Sequence, residues 1–546
     1  MSTPTDRSRS LDVVVVGAGF GGLYALHRLR GLGLSVRVYE AGSGVGGTWY
    51  WNRYPGARCD VESLEYSYSF SQELEQEWDW SERYAPQPEI LRYIDHVADR
   101  FDLRRDIQFD TRVTAAAFDE TLGRWRVTTD QGDDVSARFC VMATGCLSAA
   151  TTPDIPGLQS FQGDWFHTGQ WPHEGVDFSG KRVGIVGTGS SGIQSIPVIA
   201  RQASNLVVFQ RTPNFSLPAR NEPLAPDAQA QVKAGYGALR DAARGSFSAI
   251  AVSAPTELAL EVDPAERRRR YEAAWARGGL MSMTTTFRDL ILDKAANDTA
   301  AEFIRSKICE IVDDPDVARV LTPTDHPFAT KRPCLDTGYF ETFNRDNVTL
   351  VDLRQTPITE IVPTGIRTTG GVHELDCIVF ATGFDAMTGP LLRIDIRGRG
   401  DRPLRDKWSA GPRTYLGIAT AGFPNLFILT GPGSPSVLSN MVMAIEQHVD
   451  WIADCLSYLG AHGLDAIEAT VDAEDAWVDH VNQLAGATLF PRANSWYMGA
   501  NVPGKPRVFL PYVGGFPQYR STCDAVAAEG YRGFGLTAAA AAAERP

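Results

Sequence analysis

The sequence predicts an α/β protein with two nucleotide-type βαβ domains and a helical insertion. Three observations predict it. A strand–glycine turn–helix–strand unit opens the chain at Leu11, and a second begins near Lys181. Between 221 and 325 the texture turns to Ala, Arg and Glu at helical spacing. The length of 546 residues exceeds what one core normally supports, so two or three domains are expected.

The first unit reads LDVVVVGAGFGGLYALHRLRGLGLSVRVYEAG. Leu11 to Val16 is an apolar β-branched run. Leu23, Leu26 and Leu29 then recur at helical spacing, and Val36, Val38 and Tyr39 form a second strand ending at Glu40. Between strand and helix lies Gly17-Ala-Gly19-Phe-Gly21-Gly22. Gly17 serves the tight turn, Gly19 the approach to a pyrophosphate, and Gly22 the close packing of helix on strand. The helix start then offers free N–H groups and a positive dipole end to phosphates. Glu40 stands where an acid accepts hydrogen bonds from ribose hydroxyls. The glycine pattern alone is a weak signal; the strand, helix and acid around it make it specific.

The second unit reads KRVGIVGTGSSGIQSIPVIARQASNLVVFQRTP. Val183–Val186 is a strand, Ile193–Ile199 a helix and Leu206–Phe209 the next strand. The loop is Gly187-Thr188-Gly189-Ser190-Ser191-Gly192. Its strand end carries Gln210, Arg211 and Thr212, with no acid. A carboxylate there would repel a 2′-phosphate, whereas a guanidinium grips one through two parallel hydrogen bonds. The first unit therefore reads as an FAD site and the second as an NADP site. Ala143-Thr144-Gly145 and Ala381-Thr382-Gly383 each end an apolar run and mark returns into these units.

The fold expected is thus α/β with two Rossmann-like dinucleotide-binding domains, for FAD and NADP, and a helical insertion. The FAD domain is discontinuous, 1–145 and 385–546; the NADP domain covers 152–220 and 326–384; the insert is 221–325. The charge run Arg267–Arg270 in the insert reads as a solvated helix face.

Composition excludes several classes. A net charge of −14 argues against nucleic acid or anionic membrane as partner. The eight cysteines are scattered, without C-x-x-C or zinc spacing, so no metal is expected and the thiols read as buried and reduced. The redox pair of a disulfide reductase is missing. The polar start MSTPTDRSRS has no signal-peptide core, and no apolar run is long enough to span a bilayer. A cytoplasmic protein is expected. The alanine-rich C-terminal tract reads as a frayed helix or a disordered tail without function.

Two further segments carry a resemblance. Phe161-Gln-Gly163-Asp-Trp-Phe-His167-Thr-Gly-Gln-Trp171-Pro172 fits F-x-G-x-x-x-H-x-x-x-W-[PD] at every fixed position, just before the second glycine loop. Gly46-Gly47-Thr48-Trp49, Tyr54-Pro55-Gly56 and Asp60 follow the first. With both loops, these segments resemble the type I Baeyer–Villiger monooxygenases over essentially the whole chain, nearest the cyclohexanone, phenylacetone and steroid monooxygenase branch. Flavin-containing and N-hydroxylating monooxygenases share the layout but lack the Trp171-Pro172 ending.

The resemblance implies a reaction. NADPH, FAD and O2 oxidise a ketone to an ester or lactone, through a flavin C4a-peroxide and a tetrahedral intermediate. It implies that Arg332, in Thr330-Lys331-Arg332-Pro333, lies over the flavin, that Lys331 reaches the NADP 2′-phosphate, and that Asp60 partners Arg332. Physical reasons accompany these roles. Neighbours in an extended segment point to opposite faces, and Pro333 favours extension at Arg332. An arginine keeps its proton in a dry site. A buried guanidinium needs a carboxylate.

By the same resemblance Gly21, Glu40, Gly47, Thr48, Trp49, Asp60, Tyr66, Val113 and Met441 fall at FAD positions. Arg58, Thr188, Gly189, Ser190, Ser191, Gly192, Gln194, Arg211, Thr212, Lys331 and Trp496 fall at NADP positions. Trp496 belongs to a segment resembling the family's mobile loop, and Gly431–Leu438 to a loop lining the substrate pocket. His167 has two readings: coupling of NADP binding to domain motion, or packing of a linker. The rivals to the ketone reading are a monooxygenase of amines or sulfides and a flavin-binding protein without turnover.

Overall fold

The computed structural model describes residues 10–538. The start of the polar N-terminal segment and most of the alanine tract lie outside them. Where the tract begins, Phe534–Ala538 is a strand, where a frayed helix or a disordered tail was expected. It pairs antiparallel with Leu464–Ala469, which satisfies backbone groups that an isolated helix end would leave open.

Strand Ser10–Val16 is buried from Val13 onward, because both faces of its sheet are covered and valine suits both. It pairs in parallel with Val36–Tyr39 on one side and Asp134–Met142 on the other. Helix Phe20–Gly31 connects the first two. A meander of Val113–Asp119, Arg124–Thr129 and Asp134–Met142 extends the sheet. Two strands from late in the chain join it: Asp395–Arg397 beside Val113–Asp119 and Leu426–Ile428 beside Asp134–Met142.

The second sheet has five parallel strands, in the order Val348–Asp352, Asn205–Gln210, Arg182–Val186, Cys377–Phe380, Asp164–His167. Helix Ser190–Ala200 connects Arg182–Val186 to Asn205–Gln210. The fingerprint segment supplies its edge strand Asp164–His167, so it is more than a linker. Gly163 has no room for a side chain: a Cβ there would sit 2.3 Å from the Asp376 carbonyl oxygen.

Between Ser216–Pro218 and Cys334–Asp336, which pair with each other, the described chain is helical or irregular. The helices include Pro226–Ala234, Tyr236–Arg244, Pro264–Arg277 and Lys294–Ile311. Asp263 and Asp293 cap two of them by accepting first-turn N–H bonds. The run Arg267–Arg270 winds around helix Pro264–Arg277, with Arg268 and Arg269 exposed, and Arg269 and Arg270 pair with Glu266. Arg240 is buried and reaches out of this segment to Glu75 Oε1 and Ser67 Oγ, both at 2.8 Å. All eight cysteines are free and only Cys309 is exposed. Among the described residues, no helix is long and apolar enough to cross a membrane.

Candidate active site

A cavity of about 1800 Å³ opens between the two sheets, at the ends where both glycine loops sit. That exceeds the roughly 300–1,000 Å³ that holds one drug-sized ligand. Every residue assigned to the site from sequence lines it except Gly22 and Gly192. Those two are packing positions: a Cβ on Gly22 would lie 1.8 Å from the Gly17 oxygen, and one on Gly192 2.3 Å from the Gly187 oxygen.

The same geometry explains the Ala-Thr-Gly returns. Gly17 and Gly187 adopt φ of 103° and 110°, and a Cβ on either would strike the carbonyl oxygen of Ala143 or Ala381 at 2.6 or 2.5 Å. In each sheet, the strand ending in alanine runs directly beneath the glycine turn. Gly47 backs onto Gly19 from the other side, with 2.9 Å from a Cβ on Gly47 to the Gly19 Cα. Neither helix start has a side-chain cap, at Gly19 or at Gly189. Their first-turn N–H groups therefore remain available for an anion in the cavity.

The strand ends carry opposite charge. Glu40 is buried; its Oε2 accepts from the Ala18 N–H at 2.7 Å and its Oε1 from the Gly42 N–H at 2.8 Å. Burial pushes its pKa up against the pull of these amides. A carboxylate has about four acceptor sites, so capacity remains for hydroxyls in the cavity. Arg211 is exposed and, among the described residues, pairs with no carboxylate. The Thr188 hydroxyl donates to the Thr212 carbonyl at 3.3 Å, closing the loop onto this strand end.

Lys331 and Arg332 diverge at a bend just before strand Cys334–Asp336. Lys331 Nζ lies 3.4 Å from Asp325 Oδ2, and burial together with the nearby Arg211 charge holds its pKa down. Burial alone would raise Asp325, but the hydrogen bond from His326 and the Lys331 charge bring it to about 2. Arg332 Nε donates to Asp60 Oδ2 at 2.8 Å and Nη1 to the Val437 carbonyl at 2.9 Å. Burial pulls the guanidinium down, yet the charges and hydrogen bonds of Asp60 and Tyr497 together outweigh it and the net shift is upward. A guanidinium has five N–H donors, so these contacts do not exhaust it. The result is a fixed cation facing a cavity flanked by two anion-binding helix starts.

Residues 10–221 match the family model described as flavin-binding monooxygenase-like. A Baeyer–Villiger monooxygenase of Pseudooceanicola batsensis is 46% identical over 97% of this chain and 98% of that protein. The chain belongs to the Baeyer–Villiger monooxygenase family. A solved structure of an oxidized steroid monooxygenase bound to NADP is 58% identical, with TM-score 0.93, over 97% of this chain and 100% of that one. A phenazine N-monooxygenase of Lysobacter antibioticus is 44% identical over 96% of both proteins.

In this Baeyer–Villiger monooxygenase the Tyr54-Pro55-Gly56 segment packs against helix Ser190–Ala200. The Tyr54 hydroxyl donates to Gln194 Oε1 at 2.8 Å, and Gln194 Nε2 donates to the Arg58 carbonyl at 3.2 Å. A Cβ on Gly56 would meet the Gln194 carbonyl at 2.3 Å, so glycine is needed for the approach. Arg58 itself is committed to Glu82, at 2.9 Å. Ser191 Oγ lies 3.0 Å from Thr168 Oγ1, and Ser190 Oγ 3.2 Å from Cys334 Sγ. On the other side Trp49 Nε1 donates to the Tyr66 hydroxyl at 3.2 Å, while Val113 and Met441 enter the wall from a strand start and a helix start.

His167 does not line the cavity. Its Nδ1 accepts from the Gly169 N–H at 3.0 Å, and its Nε2 lies 3.3 Å from Thr382 Oγ1, whose hydroxyl donates to the Thr151 carbonyl. Burial holds its pKa down. The neutral ring thus ties the fingerprint strand to Thr382 and, through it, to Thr151. Trp496 lines the cavity against Tyr497, with ring centroids 4.3 Å apart. Its loop is fastened by Asn501 Nδ2 donating to the Phe384 carbonyl at 2.8 Å and by Lys505 to Asp385 at 2.6 Å. Two residues beside the cations were missed in the sequence. Tyr497 adjoins Arg332; burial pushes the phenol pKa up, against the pull of the Arg332 charge. Asp325 holds Lys331. Neither carries a local signal.

Proposed function

We propose that this chain is an NADPH- and O2-dependent flavin monooxygenase that converts ketones to esters or lactones. FAD sits at the first glycine loop and NADP(H) at the second. The observation that carries the reading is the Arg332–Asp60 pair, held at 2.8 Å and opening on the cavity between two uncapped helix starts. The residues fit both groups: the Gly17 and Gly187 turns leave cradles without side chains, Glu40 suits ribose hydroxyls, and Arg211 with Lys331 suits a 2′-phosphate.

Bound FAD, reduced by NADPH, supplies the activated oxygen. The protein orients it, excludes water and answers the charge that develops. When the ketone carbonyl is attacked its oxygen gains negative charge, and Arg332 offers preorganised N–H donors without changing protonation. By analogy with an oxyanion hole, one such donor is worth ~3–4 kcal/mol of barrier. Asp60 offsets the cost of burying the guanidinium and fixes its direction.

The same reading assigns an FAD domain to 1–145 and 385–546, an NADP domain to 152–220 and 326–384, and an insert to 221–325. The return of Asp395–Arg397 and Leu426–Ile428 to the first sheet supports the discontinuous assignment. It also carries a cytoplasmic location, supported by eight free cysteines. A second reading, oxygenation of a heteroatom, is favoured by the likeness to a phenazine N-monooxygenase. The test is NADPH oxidation with a panel of cyclic, aryl and long-chain ketones, sulfides and aromatic amines, with products identified by mass. Ester or lactone from ketones is expected; only N- or S-oxides across the panel would overturn the ketone reading.

A further inference from the structure

The geometry points to His448 and Tyr519 as a positioning pair that holds the cavity loop Leu429–Asn440 in a strained conformation and so sets the Val437 carbonyl against Arg332. It rests on the ketone-oxygenating reading above. Neither residue lines the cavity, and both are fully buried.

Several buried non-glycine residues near this loop have left-handed backbones, among them these three: Leu416 at φ 58°, Thr430 at 49° and Ser436 at 42°. For a β-branched or bulky residue that conformation is an outlier, and outliers persist only where the surroundings over-determine them. One relay fixes two of the three. The Tyr519 hydroxyl lies 2.5 Å from the Leu416 carbonyl and 2.7 Å from His448 Nε2, and the Thr430 N–H donates to His448 Nδ1 at 3.1 Å.

The proton order follows from the partners. A carbonyl only accepts, so Tyr519 gives its single proton to Leu416. Its oxygen therefore takes the proton of His448 Nε2–H, which leaves Nδ1 bare to accept from Thr430. This requires a neutral imidazole, and burial holds the His448 pKa at about 3. Further along the loop, Trp477 Nε1 donates to the Gly433 carbonyl at 3.0 Å and the Tyr512 N–H to the Ser434 carbonyl at 2.7 Å. The loop then delivers the Val437 carbonyl, which accepts from Arg332 Nη1 at 2.9 Å. The chain of contacts runs from the relay through the strained backbone to the cation.

Tyr519→Phe tests this. It keeps the ring against Trp477 and Tyr512 and removes the relay. Wild-type and variant holoenzyme are compared for flavin reduction by NADPH, ester and hydrogen peroxide formed per NADPH, melting temperature, and amide hydrogen exchange without substrate. The expected result is unchanged reduction, ester per NADPH about twofold or more lower because a small misplacement of a positioning group is costly, a matching rise in peroxide, and faster exchange confined to 426–438 and the segment around Leu416. Adding Thr430→Gly, which adopts the left-handed backbone freely, restores the ester yield. A lower melting temperature with ester per NADPH and 426–438 exchange both unchanged overturns the proposal, as does failure of Thr430→Gly to restore the yield. A wild type that makes no ester overturns the ketone reading instead; the exchange comparison still judges the relay.

Discussion

At the scale of residues, the site turns on two adjacent cations with separate partners. Lys331 turns to Asp325 and Arg332 to Asp60, diverging at a bend just before strand Cys334–Asp336. Arg332→Ala is expected to leave flavin reduction by NADPH within about twofold of wild type while ester formation falls ~10²-fold or more, the usual loss for one oxyanion donor. Stopped-flow absorbance and product analysis separate the two steps; normal ester yield would remove Arg332 from the chemistry. Arg211→Ala and Lys331→Ala are each expected to raise the KM for NADPH ~10-fold and to leave that for NADH nearly unchanged, since a charge-assisted hydrogen bond contributes about 1.5–3 kcal/mol. Steady-state kinetics with both nucleotides checks this. Glu40 and Arg211 were legible in the sequence because a strand end after a glycine loop fixes where their side chains go. Asp325 and Tyr497 were not, because Lys331 and Arg332 meet them only through tertiary packing. The commitment of Arg58 to Glu82 was hidden for the same reason.

At the scale of elements, the third glycine of each loop is the stringent one. A Cβ on Gly22 or Gly192 would collide with the first glycine's carbonyl oxygen of the same loop. Gly192→Ala is expected to keep FAD, seen as flavin absorbance of the purified protein, and to lose rapid reduction by NADPH. Gly22→Ala is expected to come out without flavin. Equal effects of the two changes would contradict separate sites. The βαβ units could be read because valine runs, glycine turns and leucine spacing agree. The edge strand Asp164–His167 could not. It pairs on one side only, and its four residues run from exposed to buried without the alternation that marks a strand. The start of the alanine tract, read as a frayed helix or a disordered tail, misled because the partner strand Leu464–Ala469 that captures it lies far away in sequence.

At the scale of the whole molecule, two glycine loops were enough to foresee two nucleotide sites, but not how the parts are fastened. The fastenings are single side chains far apart in sequence. Arg240 of the helical segment is buried against Glu75, Tyr54 meets Gln194, and His167 meets Thr382. Each aligns elements so that the two loops and Arg332 share one cavity. The most direct test of this account supplies isotopically heavy O2 and NADPH with a cyclic ketone and follows the product by mass. The account expects lactone carrying one heavy oxygen atom, formed in step with NADPH consumed. Ketone recovered unchanged, with all the NADPH spent on peroxide, would contradict it.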